Sequence, residues 1–563
     1  MKRYNSNIAL PSVTHDELSD TVHLSPVALN QSSVEEGLSF RVLIYPVIIS
    51  VLLWVIKSLF IILTPLRALA MTPWLIDDSF IIMRISRNFA LGLGYSYDGI
   101  HMTSGAPVLW TLMTSVNHLF LNEILAAKAT MIESALFAAL STILAFYIAY
   151  RLFNLTVAWA AFFLSVASSP LFFNSLNGME TSLFTCLGLL AVVIYLHIEH
   201  TLCERRFLYI LLGVVLGLLH LTRIDGVFLS FALLLLCSNK ILSTTGEMRR
   251  HFVMNLGLLI VCMGLITAPT ILWSFYITGS PMPANQAGRR FLAWEAVVLQ
   301  NGTILWSRYL QQIVQNTRLF IFLVSITTGS VVLALVSLGM GFFQKNGMVL
   351  SRLILLYLGM YGGTLILYQG YFFDVHGLRY LNLAGYFFSI TLAAFGYYAL
   401  SRVYRRKLQA VPYILATFIT LLIALSFFQY QHLVSRLTWT GNIHTIPFYA
   451  EREVQEWWGF LDWVNANIPT GAAIAVKDHG KLAYFTDVRV VDLAGIIDPS
   501  LMRYIGTDNA MAYFTENRVE YVIAPPQDGQ LIYRLIRKHI NLEEVVEAPG
   551  QEGTNYRLYR VVY

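Results

Sequence analysis

A series of apolar runs, each roughly 15 to 27 residues long and recurring between about residues 42 and 430, limits what this chain can fold into more than any other feature, because a helix of about 20 apolar residues crosses a hydrocarbon layer. A soluble fold of 563 residues with 56% hydrophobic and only 13% charged residues would leave too much apolar surface in water. The expectation is a polytopic α-helical membrane protein. Residues 1–40 are polar and Ser-rich and read as a disordered cytoplasmic lead-in, 41–430 as the transmembrane part, and 431–563 as a separate domain of ordinary polarity. The net charge of +5 is scattered through loops, which argues against nucleic acid and leaves the lipid bilayer as the expected partner. Cys186, Cys203, Cys237 and Cys262 lie in or beside apolar runs and form no disulfide or metal spacing.

The threading turns on residues 106–121, a short stretch carrying Thr111, Thr114, Ser115, Asn117 and His118, which reads as a helix lying in the membrane interface. With the first run at 42–64, further spans are expected at 124–150, 155–174, 181–198, 207–222, 226–239, 252–278, 317–343, 353–373, 380–400 and 411–430, about eleven in all. Arg151, Arg205, Arg206, Lys240, Arg249, Arg250, Lys345, Arg352 and the basic cluster at 402–407 then fall on one side, taken as cytoplasmic by the positive-inside rule. A first outer loop, 67–123, and the C-terminal domain fall on the other.

That outer side collects Asp77, Asp78, Glu180, Asp225 and Asp374 together with Arg84, Arg223, Arg289, Arg290 and Arg379. Arginines that break the topology rule make sense as anion clamps, since the guanidinium fork matches phosphate oxygens. Plainer roles compete: an Asp ahead of a helix is often an N-cap, Glu180 suits a helix start, and Arg223 can simply pair with Asp225. Asp77, Arg84 and Asn88 share one helical face. The Pro/Gly-broken segment 279–290 holds Asn285 and reads as a loop folding back over a membrane-edge cavity. His376 has no second His at ligand spacing and reads as a wet surface residue. Several carboxylates converge without a metal-ligand pattern, so a divalent cation stays an open expectation with no ligands assigned.

The pattern Asp77-Asp78-x-Phe80-Ile81-x-x-Arg84-x-x-x-Asn88-x-x-x-Gly92-x-Gly94, with Asp98-Gly99, Pro107 and Trp110 after it, resembles the first outer loop of bacterial GT-C glycosyltransferases. The nearest group is that of the mycobacterial terminal arabinofuranosyltransferases. Gly178-x-Glu180-Thr181, Leu221-Thr222-Arg223-x-Asp225-Gly226, Pro283-x-Asn285 and Arg379-Tyr380 are similar to its later motifs, in the same order. The resemblance covers about residues 70–390, with a weaker match near 473–499.

It implies an enzyme of the bacterial inner membrane that takes a sugar from a polyprenyl-phosphate donor on the periplasmic face and inverts the anomeric centre. The acceptor expected is a glycan or glycolipid of the cell envelope, lipopolysaccharide included. The base role falls on Asp77, with Asp78 beside it. Arg379, Arg223, Arg289, Arg290 and Arg84 are the expected phosphate contacts, and Asn88, Glu180, Asp225, Asn285, Asp374 and His376 the donor or acceptor contacts. A transporter or flippase for lipid-linked sugar, which would place its charges at mid-span, and a ligase joining whole glycans remain the rival readings.

In the tail, Trp457, Trp458, Leu461 and Val464 have helical spacing, closed by Pro469 and Gly471. Strands are expected at 472–476, 488–493, 519–524 and 556–562, and a helix at 531–540, which makes a small α/β domain without a Gly-rich phosphate loop. Its KDHGKLAYFTD and DLAGIIDP stretches resemble outer domains of the same group, where Asp478, His479 and Asp492 would be acceptor contacts or turn formers.

Overall fold

The structure, a computed structural model, describes residues 40–70, 72, 75–200, 205–286, 306–328, 331–342, 344–367, 379–403, 414, 421, 451–477, 480–498, 500, 501, 504, 510–525, 533, 536–538, 540–548 and 556–563. Helices begin where polar or turn residues interrupt the apolar runs. In order they are α1 (Phe40–Leu63), α2 (Leu66–Leu69), α3 (Asp77–Ala90), α4 (Val108–Phe120), α5 (Glu123–Leu152), α6 (Leu155–Ala167), α7 (Ser169–Asn174), α8 (Thr181–His200), α9 (Arg206–Thr222), α10 (Gly226–Leu242), α11 (Gly246–Thr278), α12 (Trp306–Thr328), α13 (Val331–Phe342), α14 (Lys345–Leu367) and α15 (Asn382–Val403). Asn122 and Asn154 cap α5 and α6, their side-chain oxygens accepting the backbone N–H of Leu125 and Val157.

Among the described residues six helices, α1, α5, α8, α11, α14 and α15, are long and apolar enough to cross a membrane, and α6, α9, α10 and α13 are apolar but shorter. One expected span is broken. The run 155–174 divides into α6 and α7 because Pro170 opens α7 and has no N–H to continue the ladder of α6. The run 317–343 is covered by α12, which also starts earlier, and α13, with 329, 330 and 343 outside the described residues. The run 411–430 lies outside the described residues apart from 414 and 421. The 13 residues of α4 are too few to cross.

The C-terminal part contains α16 (Glu451–Asn467), β1 (Ala473–Val476), α17 (Gly480–Phe485), β2 (Arg489–Asp492), α18 (Ala510–Glu516), β3 (Tyr521–Ala524), β4 (Asn541–Ala548) and β5 (Tyr556–Val562). Among the described residues its strands form a five-stranded sheet in the order β2-β1-β3-β5-β4. β1 is parallel to β2 and β3, while β5 pairs antiparallel with β3 and β4. β4 was not among the expected strands. It is an edge strand, largely exposed, and Glu543, Glu544 and Glu547 give it the acidic surface that blunts edge-to-edge pairing.

Side chains alternate across the sheet with period two, and each face meets a different partner. Ala473, Ala475, Val491, Val522, Ala524 and Val561 pack with Tyr513, Phe514, Tyr533 and Ile536. Ile474, Val476, Val490, Ile523 and Leu558 pack instead into a core shared with α16, α17 and the first loop, which supplies Leu75, Phe80, Met83, Ile85, Tyr95 and Tyr97. The Phe80 ring lies 5.4 Å from that of Tyr484 and 5.1 Å from that of Phe485. Arg67 adds a two-bond pair to Asp462 (3.1 and 2.7 Å) and lies over the Trp458 ring at 4.7 Å.

Candidate active site

The site is built outward from the first turn of α3, where Asp77 and Asp78 occupy the first two helical positions after Ile76, so neither is the N-cap. Carboxylates there are favoured by the exposed N–H groups of the helix start. Adjacent helical residues point about 100° apart, and the two acids face different walls.

The Asp77 carboxylate accepts the backbone N–H of Gly480 at 2.6 Å and of Lys481 at 2.9 Å, at the start of α17. Asp78 instead lines a cavity of about 280 Å³ and accepts Nη2 of Arg379 at 2.8 Å. Ser79 closes the turn, its hydroxyl donating to the Asn177 carbonyl at 2.7 Å. That bond sets the loop carrying Met179 and Glu180, which also line the cavity.

Arg379 has little freedom. Its Nη1 reaches Met179 Sδ at 3.2 Å, its Nη2 also reaches the Tyr380 hydroxyl at 3.2 Å, and its guanidinium lies 5.1 Å from the Tyr380 ring centre. The second guanidinium, Arg223, lies 4.8 Å from the same ring. It is held between two acids, donating from Nη1 to Glu180 at 2.7 Å and from Nη2 to Asp225 at 2.6 Å. The Tyr361 hydroxyl adds a bond to Asp225 at 3.3 Å. Glu180 is 3% exposed and its Oε2 has no hydrogen-bond partner among the described residues; the same holds for Asn285 Oδ1. Both residues line the cavity, and these two oxygens are buried in its wall.

The C-terminal domain closes one side. Ile496 and Ile497 line the cavity, and the Thr103 hydroxyl donates to the Ile497 carbonyl at 2.6 Å. A Cβ on Gly105 would stand 2.4 Å from the Ile496 carbonyl oxygen, so only glycine permits this approach. Asp492 shapes the loop by accepting the N–H of Ala494, Ile497 and Asp498 at 2.6, 2.7 and 3.2 Å, which is a turn-forming arrangement. Trp273 and Ser104 complete the lining: Trp273 Nε1 donates to the Thr103 carbonyl at 3.0 Å and the Ser104 hydroxyl accepts the Ala284 N–H at 3.0 Å.

Of the residues expected from sequence, Asp78, Glu180, Arg223, Asp225, Asn285 and Arg379 come together around this one cavity. Asp77, Arg84 and Asn88 are not among its lining residues. Asn88 is buried, and its amide holds the Gly-rich turn shut by donating to the carbonyls of Ser96 and Tyr97 at 3.0 and 2.9 Å. Burial lowers the pKa of Arg84, and the like charge of Arg87 adds to that. Arg289, Arg290, Asp374, His376, Asp478 and His479 lie outside the described residues. Among the described residues no group of three or more His, Cys, Asp or Glu is arranged to hold a metal ion. Sequence reasoning missed Tyr361 and Trp273, whose polar tips sit inside apolar runs with no local signal, and the pairing of Gly480 and Lys481 with Asp77.

Two shifted groups lie on the docking surface of the C-terminal domain. Burial pushes the Lys481 ammonium below its ordinary pKa, opposed by the Asp77 carboxylate. Burial pushes Asp98 upward, but the His101 side chain and the N–H groups of His101 and Ile100 outweigh it and hold the carboxyl below its usual range. Arg489 of β2 stands 3.7 Å from Asp98.

Residues 442–559 match a family described as a domain of unknown function (DUF8728). No curated protein matches the chain. Its fold is similar to that of ArnT from Cupriavidus metallidurans bound to undecaprenyl phosphate, at 13% identity and a TM-score of 0.54, covering 91% of this chain and 97% of that one. The apo state of ArnT gives 13% identity, 91% and 97% coverage and a TM-score of 0.53. Archaeal AglB from Archaeoglobus fulgidus, an oligosaccharyltransferase in complex with an inhibitory peptide and a dolichol-phosphate, overlaps more loosely, at 12% identity, 88% and 70% coverage and a TM-score of 0.48, and adds no weight. The chain thus has the GT-C fold: a multi-pass helical membrane protein with a small C-terminal sheet domain.

Proposed function

We propose that this protein is a membrane glycosyltransferase that moves a sugar from a polyprenyl-phosphate carrier to a cell-envelope glycan on the periplasmic face of the inner membrane, with inversion. The observation that carries the reading is the Asp78–Arg379 contact, 2.8 Å long, within a cavity of about 280 Å³. The ArnT fold was solved with undecaprenyl phosphate, which supports a lipid-phosphate donor.

In this reaction the acceptor hydroxyl attacks C1, the bond from C1 to the phosphate oxygen breaks, and the hydroxyl proton passes to Asp78 as general base. The lipid phosphate leaves as an anion and needs no proton, only a fixed cation, and of the two arginines that line the cavity Arg379 is taken as that cation. Phosphate at Arg379 would compete with Asp78 for the guanidinium, so donor binding frees the base. Arg223 is a poor second grip because Glu180 and Asp225 already hold its charge. Glu180 and Asn285 line the cavity with Arg379, beside the space the sugar would take. The backbone N–H held by each Asp77 oxygen favours its ionised, less basic form, which supports Asp78 over Asp77 as the base in this reading.

Purified protein in detergent, given labelled polyprenyl-phosphate sugars and a cell-envelope glycan fraction, should release lipid phosphate and label the glycan without any vesicle boundary. Failure to consume any such donor, alongside movement of it across a vesicle, would favour a transporter. In the same assay Glu180→Gln keeps an acceptor for Arg223 but removes the carboxylate charge and replaces the other oxygen, buried in the cavity wall, with a donor. The donor KM should rise roughly 3- to 10-fold, the worth of one hydrogen bond, with kcat changed much less.

A further inference from the structure

We infer that Asp77 is a positioning residue: its carboxylate latches the C-terminal domain onto α3 and so sets both the orientation of Asp78 and the cavity wall at Ile496 and Ile497. The inference rests on the reading of Asp78 as the base. In a parallel sheet the loops after neighbouring strands gather at the carboxyl edge, where such folds ordinarily receive a ligand. Here the loop after β1 leads into α17 and the loop after β2 carries 493–498. The first loop of the membrane part occupies that edge. Asp77 takes the backbone N–H of Gly480 and Lys481, and Thr103 and Gly105 take the carbonyls of Ile497 and Ile496 by hydrogen bond and by close approach.

The fit at the latch is tight. A Cβ on Gly480 would stand 2.0 Å from the Asp77 carbonyl oxygen, so the two backbones meet in a way that no other residue allows. Phe80, one turn along α3, continues the contact against Tyr484 and Phe485. Asp77 is the residue next to Asp78 on a rigid helix, so any rotation of α3 that loosens the latch turns the Asp78 carboxylate away from Arg379. The same rotation moves 494–498 off the cavity. One carboxylate thereby couples the seating of a whole domain to the aim of its neighbour.

The test uses the full-length protein, comparing Asp77→Ala, Asp77→Asn and Asp78→Asn in the transfer assay and by amide hydrogen exchange over 480–485 and 494–498. Asp77→Ala should speed exchange in both segments roughly tenfold and lower kcat roughly 10²-fold, the scale of an ångström-sized misplacement, with donor KM within about threefold. Asp77→Asn keeps one of two acceptor oxygens while its amide nitrogen faces the other backbone donor, so it should recover part of the lost rate, with the acid limb of its pH–rate profile where the wild type has it. Unchanged exchange in Asp77→Ala would overturn the latch. So would an Asp77→Asn protein as inactive as Asp78→Asn but with 480–485 still protected, since Asp77 would then be the base. If Asp78→Asn stays active while Asp77→Ala still loosens both segments, the latch stands and the reading of Asp78 fails.

Discussion

Replacing Asp78 with asparagine should abolish sugar transfer, lowering kcat by at least about 10³-fold, within the range expected when a general base is lost. Asparagine has the same shape and its carbonyl still accepts from Arg379, so the contact seen at 2.8 Å survives in neutral form. What disappears is the capacity to take a proton from the acceptor hydroxyl. The protein should insert and melt like the wild type, because Asp78 is partly exposed and leaves no buried group stranded except one arginine that keeps Met179 and Tyr380 as partners. The measurement is an initial rate with labelled lipid-phosphate sugar, read beside a thermal melt in detergent. More than a tenth of the wild-type rate in a fully folded preparation would remove Asp78 from the mechanism.

Replacing Arg223 with methionine should act on the fold first. The Arg223 side chain is 9% exposed and its guanidinium lies between Glu180 and Asp225, whose side chains are 4% and 18% exposed. Removing it strands two mutually repelling carboxylates in a cavity wall, and breaking a buried pair in this one-sided way costs about 3–5 kcal/mol. Apparent melting temperature should fall sharply, and Arg223→Met combined with Glu180→Gln and Asp225→Asn should recover much of the loss. A stable Arg223→Met protein whose donor KM rises more than about 100-fold would show instead that Arg223 grips the phosphate. The two arginines stand on one tyrosine ring, but their carboxylate neighbours separate their roles: one acid for Arg379, two for Arg223.

Much of the cavity was readable from charge placed at the ends of apolar runs. Asp78, Glu180, Arg223 with Asp225, and Arg379 each interrupt a hydrophobic stretch, and isolated charge in such a place is costly unless it is partnered. The pairing of Arg223 with Asp225 was also readable from their spacing, though not the third member, Glu180, 43 residues away in the chain. The difference between Asp77 and Asp78 was not readable. They are adjacent, chemically identical residues, and what separates them is the rotation of α3 and a domain 400 residues further on that supplies Gly480 and Lys481. Helical spacing puts Asp77, Arg84 and Asn88 on one face of α3, but spacing carries no information on which neighbour a face meets. β4 was hidden for a different reason: its acids face water on an edge, and the alternation that marks a half-buried strand is largely missing.

The sheet has one further consequence, for modularity. The stretch 442–559 matches a family model by itself, which invites its treatment as a portable unit. Yet Ile474, Val476, Val490, Ile523 and Leu558 find their apolar cover jointly with Phe80, Met83 and Ile85, which belong to α3. Cut free, that face would be a bare hydrophobic patch of the kind that drives aggregation. The unit that can be moved between proteins is the sheet together with the membrane-side helix beneath it, and swapping either half alone exchanges a packed boundary for a wet one.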